Sequence, residues 1–192
     1  MMKSRDIIQD SLLVVRCQVG EEAALGELYQ RYNKRFLSFA GRFVGNPDTG
    51  ADIVQEAWMT IIKRIRRLDD ANLFRAWAYR IVTNKCLDHG RGIQKERKMA
   101  EALMAEAKTS EPGNLSAVPD ALLTRLTLRE LMNRMPPERR SLLILFYVEG
   151  LSLHELACVF GIAEGTIKSR LHHAREALKA AYEQPELERE IS

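Results

Sequence analysis

The stretch SLHELACVFGIAEGTIKSRLHHAREAL, residues 152–178, constrains the fold of this chain more than any other. Ser152 and Glu155 have the spacing of a capping box, in which a hydroxyl and a carboxylate satisfy each other's backbone amides, so a helix is predicted to open at Leu153. It should close at Gly161, because the left-handed backbone that ends a helix costs glycine little. A second helix is predicted from about Glu164 to Ala181, after a turn of a few residues. Leu156, Ala157, Ile162, Ile167 and Leu171 then face inward, and the small Ala157 lets the two helices cross closely. This is the layout of a helix-turn-helix, whose second helix fits the major groove of DNA.

The outward residues of that second helix are Thr166, Lys168, Ser169, Arg170, His172, His173 and Arg175. They supply donors for base edges and cations for phosphates. Charge alone would fit an ordinary solvated face equally well; the capping box, the glycine turn and the inward apolar set favour DNA. His154 and Cys158 lie one turn apart but have no further ligand nearby, so a metal site is not expected. Adjacent His172 and His173 point about 100° apart on a helix and suit DNA better than a shared ion.

Elsewhere apolar residues recur three and four apart and strand signals are scarce, so the chain is predicted to be all-α. One stripe comprises Leu25, Leu28, Tyr29, Tyr32, Phe36, Leu37, Ala40 and Phe43, and it stops at the breakers Gly45-Asn46-Pro47. Thr49 and Asp52 have capping-box spacing, and Ile53, Val54, Ala57, Trp58, Ile61, Ile62 and Ile65 form a second stripe. A third helix is predicted from about Phe74 to Asp88. Residues 99–119 turn Ala-rich, then Ser-, Pro- and Gly-rich, without a large apolar stripe, which predicts a flexible linker. It divides a domain at 1–98 from one at 120–183, in which helices at 121–135 and 138–148 precede the helix-turn-helix; residues 184–192 read as a tail. About 20 extended residues span at most about 70 Å, close to two turns of B-DNA.

Charge is uneven. Residues 1–100 carry 18 Lys/Arg against 12 Asp/Glu, a surplus of +6, although the whole chain is only +3. Three cysteines without a CxxC pair suggest neither a disulfide framework nor a zinc site, which fits a reducing compartment. The longest apolar run near the N-terminus, Leu12–Val15, is too short for a signal peptide or a membrane span, so a soluble cytoplasmic protein is expected. No clustered carboxylates, nucleophile constellation or glycine-rich phosphate loop points to an enzyme or to a cofactor.

MPPERRSLLILFYVE followed by GLSLHELACVFGIAEGTIKSRLHHAREAL closely resembles the promoter-reading C-terminal domain of bacterial RNA polymerase sigma factors. Independently, GELYQRYNKRFLSFAGRFVGN, DIVQEAWMTIIKRI and FRAWAYRIVTNKCLDHGR resemble their N-terminal domain. The order of the two halves and the short linker point to the compact extracytoplasmic-function group of the sigma-70 family, over about residues 10–180.

The resemblance implies that Asp52, Gln55, Glu56 and Met59 bind core RNA polymerase, and Ala51 departs from a second acid usual in relatives. It implies that the segment from Phe74 to Arg91 captures the unwound −10 element. There Phe74, Arg75, Trp77, Tyr79, Arg80, Asn84, Lys85 and Arg91 offer the rings and cations that single-stranded DNA requires. Residues 68–73 would hold an everted base. The −35 element would be read by Lys168, Ser169, His172 and His173, with Thr166, Arg170 and Arg175 beside them. Where relatives more often carry arginine, His173 offers a single donor in its neutral form. The partners implied are core RNA polymerase, promoter DNA and an anti-sigma factor, with the free chain a monomer that does not insert into membranes. The competing reading is a stand-alone helix-turn-helix repressor or activator, which would need a dimerising or ligand-binding part that the basic, aromatic first half does not resemble.

Overall fold

The computed structural model describes residues 4–107 and 128–187. Among them every regular element is helical: α1 (Ser4–Gln18), α2 (Glu22–Val44), α3 (Pro47–Arg64), α4 (Phe74–Ala107), α5 (Leu128–Arg134), α6 (Pro137–Leu143), α7 (Leu153–Phe160) and α8 (Glu164–Leu187). Two 3-10 turns, Ile65–Arg67 and Ala71–Leu73, join α3 to α4, and a π turn, Ile144–Val148, extends α6.

The N-terminal body is built on an aromatic core. Tyr32, Phe36, Phe39 and Phe43 of α2 are buried against Trp58 of α3 and against Phe74 and Tyr79 of α4, with Phe36 and Tyr79 edge-on at 5.1 Å. α2 and α3 cross so closely that a Cβ on Gly50 would lie 2.6 Å from the Gly41 backbone nitrogen. Gly50→Ala therefore pries the two helices apart, and we expect a loss of about 1–3 kcal/mol, read as a lower midpoint in chemical denaturation. α1 is tied to α2 through buried Asp10, which accepts from the Tyr32 hydroxyl and, at 2.9 Å, faces Nε of Arg31. Burial pushes the Asp10 carboxyl above its ordinary range despite both partners.

Several sequence expectations are corrected in detail. α3 opens at Pro47, not at the Thr49–Asp52 pair: Asn46 is the cap, its Oδ1 accepting from the amides of Asp48 (2.8 Å) and Thr49 (3.2 Å). Proline at the first helical position gives up an amide that had no partner anyway. Tyr29, Leu37 and Ile62, read as inward, are 47%, 37% and 49% exposed. α4 continues to Ala107, so the first nine residues of the stretch read as a linker, Met99–Ala107, are helical. The rest of that stretch, 108–119, and the first half of the helix read at 121–135 lie outside the described residues.

In the C-terminal body the helix-turn-helix forms as its sequence dictates. Ser152 Oγ accepts from the Glu155 amide (3.1 Å), and the Glu155 carboxylate accepts from the Ser152 amide (2.8 Å). Gly161 takes φ +67° and returns its amide to the Ala157 carbonyl at 2.8 Å. Leu156, Ile167 and Leu171 are buried; Ala157 and Ile162 are half-buried.

The two bodies do not stand apart. α6 and α7 pack on α2 and α4, and Leu142, Leu145, Leu156 and Val159 share one continuous core with the aromatic cluster. Arg140 of α6 lies over the Phe43 ring of α2, 4.7 Å from its centre, a cation–π contact.

Candidate nucleic-acid interface

The residues singled out above lie on three helices, α3, α4 and α8. On α3, Asp52, Gln55, Glu56 and Met59 are all exposed on one face, spaced by three and four residues. Met59 is 53% exposed, and Ile62 and Tyr29, which periodicity places in the core, extend this patch with apolar surface. The Tyr29 ring sits 5.0 Å from that of Trp58, so it forms a shelf over the buried tryptophan. Glu56 is not a free acid: Lys85 of α4 donates to it at 2.8 Å.

On α8, Thr166, Lys168, Ser169, Arg170, His172, His173 and Arg175 are all exposed, while Ile167, Leu171 and Ala174 anchor the opposite side. The helix thus presents hydroxyl, ammonium, guanidinium and imidazole donors along one solvent-facing side with its apolar residues locked beneath. The His172 and His173 rings are 5.6 Å apart with planes inclined at 53°, a divergent pair. His154 Nδ1 pairs with Glu164 at 2.9 Å, linking α7 to the start of α8.

The α4 set divides. Arg80, Asn84 and Arg91 are exposed, and Trp77 and Lys85 are half-buried. Arg91 pairs with Asp88 at 3.1 Å. Phe74, Arg75 and Tyr79 are buried, which corrects the expectation that they face outward. Phe74 meets Tyr32 edge-on at 5.3 Å, and the Tyr79 ring is held between Phe36 and Phe39. These rings are core because α4 has a second apolar side that packs on α2. Arg75 and the Tyr79 hydroxyl are covered for a different reason: Arg75 donates to the Glu149 carbonyl and to the capping-box residue Glu155 of the C-terminal body, and the Tyr79 hydroxyl donates to the Glu149 carboxylate. Next to α4, Asp70 Oδ1 accepts from the amide and side chain of Asn72, holding the 68–73 loop in a tight turn.

Beside the seam between the bodies lies a groove of about 1090 Å³. Its floor is Leu37, Leu143, Tyr147, Val148 and Tyr182, and Arg42, Arg140, Arg175 and Lys179 also line it.

The thiol of Cys86 is buried and burial pushes it up to about 12, so it is not a nucleophile. Among the described residues no helix is long and apolar enough to cross a membrane.

The chain matches two family models in order, sigma-70 region 2 over residues 28–96 and sigma-70 region 4 over residues 125–178. It is 29% identical to the ECF RNA polymerase sigma factor SigW of Bacillus subtilis over 83% of this chain and 89% of that one. It is also 29% identical to the ECF RNA polymerase sigma-E factor of Escherichia coli K12, over 89% and 93% of the two chains. Among solved structures, the fold is similar to CnrH in complex with the cytosolic domain of CnrY (TM-score 0.64, 24% identity, covering 90% of this chain and 96% of that one). It is likewise similar to the sigma factor RpoE in complex with the anti-sigma factor NepR from Bartonella quintana (TM-score 0.58, 21% identity, covering 81% and 94%).

Proposed function

The chain belongs to the sigma-70 family of RNA polymerase sigma factors, in its extracytoplasmic-function group, and from that premise we propose how its surfaces divide the work of initiation. It binds core RNA polymerase and directs transcription to particular promoters. The α3 patch of Asp52, Gln55, Glu56 and Met59, widened by Tyr29 and Ile62, docks on the polymerase. α8 enters the major groove of the −35 element, where Lys168, Ser169, His172 and His173 face base edges and Arg170 and Arg175 face phosphates. α4 and the 68–73 loop hold the melted −10 strand, with Trp77 as the stacking ring and Arg80, Asn84, Lys85 and Arg91 along the backbone. Binding those bases offsets the loss of stacking, on average about 1.4 kcal/mol per base-pair step.

The observation that carries this reading is the coexistence of two exposed surfaces of different chemistry, an acidic and apolar face on α3 and a donor-rich face on α8, in one small chain. A repressor needs the second face and has no use for the first. The chain performs no covalent chemistry and acts in the cytoplasm, where its polymerase is. An anti-sigma factor is its natural inhibitor, and the apolar groove edged by Arg42, Arg140 and Arg175 fits an amphipathic helix of such a partner.

Mixing the purified protein with core polymerase tests the division of labour. Co-elution in gel filtration and specific transcripts from a supercoiled genomic library are expected; binding to DNA without any polymerase association would instead identify a stand-alone regulator.

A further inference from the structure

α1 ends beside the connection that joins α3 to α4. It packs against both 3-10 turns of that connection, Ile65–Arg67 and Ala71–Leu73, and its buried Leu13, Val14 and Cys17 share one core with Leu68 and Ala71. Two residues past its end the chain turns away at Gly20, φ +95°, close to Arg66, whose guanidinium lies 3.8 Å from where a Cβ would stand.

Gln18, the last residue of α1, spans the gap to the loop. Its side-chain amide donates to the Leu68 carbonyl at 2.8 Å and to the Ile65 carbonyl at 3.3 Å, across 50 and 47 residues of sequence. Both acceptors belong to the stem of the 68–73 loop: Ile65 opens the first 3-10 turn, and Leu68 is where the backbone leaves it, with φ −77° and ψ 110°. A turn this short leaves its last carbonyls without partners of its own. A primary amide suits the position because one nitrogen carries two hydrogens, one for each carbonyl. Asparagine is a methylene shorter, and an ionised glutamate has no hydrogen to give. At its far end the loop is held locally, by Asp70 Oδ1 accepting from the Asn72 amide at 2.9 Å and by the Leu73 amide donating to the Asp70 carbonyl at 3.1 Å. Gln18 supplies the long-range tie.

Resting on the reading of residues 68–73 as the holder of an everted −10 base, we propose that Gln18 is a positioning residue for promoter melting. It acts through the backbone and touches no DNA. Its amide fixes the stem of the loop in the free protein, so the loop meets the displaced base already shaped and loses little conformational freedom on capture. Fastening α1 to the body does not depend on it, because Asp10, Tyr32 and the buried apolar face of α1 already do that.

Gln18→Met keeps the size and helix propensity of the side chain and removes both donors, while Gln18→Lys restores donors on an ammonium of similar reach. Two readouts separate the clamp from its use. In the free full-length protein, hydrogen exchange at the Leu68 and Leu73 amides should quicken about tenfold in Gln18→Met, with the amides of α2 unchanged. With core polymerase, a fork-junction DNA from a mapped promoter, its −10 bases replaced one at a time by 2-aminopurine, should brighten at the everted position with wild type. Gln18→Met should lose most of that signal and about tenfold in preference for the promoter's own −10 base, while its association with core polymerase and with a −35 duplex stays at the wild-type level. Gln18→Lys should keep both signal and preference.

Unchanged exchange in Gln18→Met, or exchange quickened equally in α2, overturns the clamp. Quickened exchange at the loop with a full 2-aminopurine signal overturns the positioning role, as does equal loss of signal by Gln18→Met and Gln18→Lys. Failure of the underlying reading looks different: wild type then brightens no −10 position, and the positioning role falls with it whatever the exchange rates show.

Discussion

Reversing two charges on α3, Asp52→Arg with Glu56→Arg, is expected to weaken association with core RNA polymerase by about 10²–10⁴-fold. Each carboxylate can make one charge-assisted contact worth about 1.5–3 kcal/mol, and 1.4 kcal/mol is tenfold in affinity. Both side chains are exposed, so the fold loses little. The one internal partner affected is Lys85, which donates to Glu56 at 2.8 Å and is itself partly exposed, free to turn toward water when an arginine replaces its acid. Fluorescence anisotropy with labelled core enzyme reads the effect, and a circular dichroism melt confirms that the helices persist. Full association by the double variant would show that α3 is not the docking face.

Substitution on α8 should do the opposite, sparing the polymerase and blinding the promoter. Lys168→Glu removes a donor in the first two turns of the recognition helix, where a good base contact is worth about 1–3 kcal/mol. It also sets a carboxylate against phosphates. Open-complex formation at promoters with an intact −35 box should fall by about 10²-fold, and the salt dependence of binding should flatten by roughly one counterion. Because Lys168 is exposed and Ile167 and Leu171 beside it carry the packing, thermal stability should not change measurably. A variant that lost core association as well would place Lys168 on the polymerase.

The start of the helix-turn-helix and its turn were legible because their signals are local, whereas α8 runs on to Leu187, past the end read at about Ala181 and into the stretch read as a tail. A capping box and a left-handed glycine act within about ten positions of one another, and Ser152, Glu155 and Gly161 each do what their chemistry alone predicts. The register of α3 was harder. Asn46 and the Thr49–Asp52 pair are both valid start signals, and the proline after Asn46 decides between them. Periodicity also cannot tell a core position from an exposed apolar one at the edge of a stripe, which is why Ile62 and Tyr29 were misplaced; both adjoin the proposed docking face, where apolar surface is useful. The covering of Arg75 and Tyr79 was invisible for a simpler reason. Their partners lie 70 to 80 residues away, beyond any spacing rule, and depend on how two bodies meet. That Phe74 is core followed only once α2 had turned its aromatic side toward α4.

The same packing sets what the N-terminal body can expose. Its aromatic residues are mostly spent on the core, leaving Trp77 as the half-buried ring beside the cations Arg80 and Lys85. In the proposed reading, base stacking therefore falls to Trp77 on α4 and to the 68–73 loop, and phosphate contact is spread along α4.

Run-off transcription with core polymerase, followed by mapping of the start sites, tests the division of labour most directly. The account predicts starts that all lie downstream of two shared sequence boxes about two helical turns apart, the upstream one lost with Lys168→Glu and transcription as a whole lost with Asp52→Arg and Glu56→Arg. Starts without a common upstream box, or transcription that survives the α3 reversal, would contradict it.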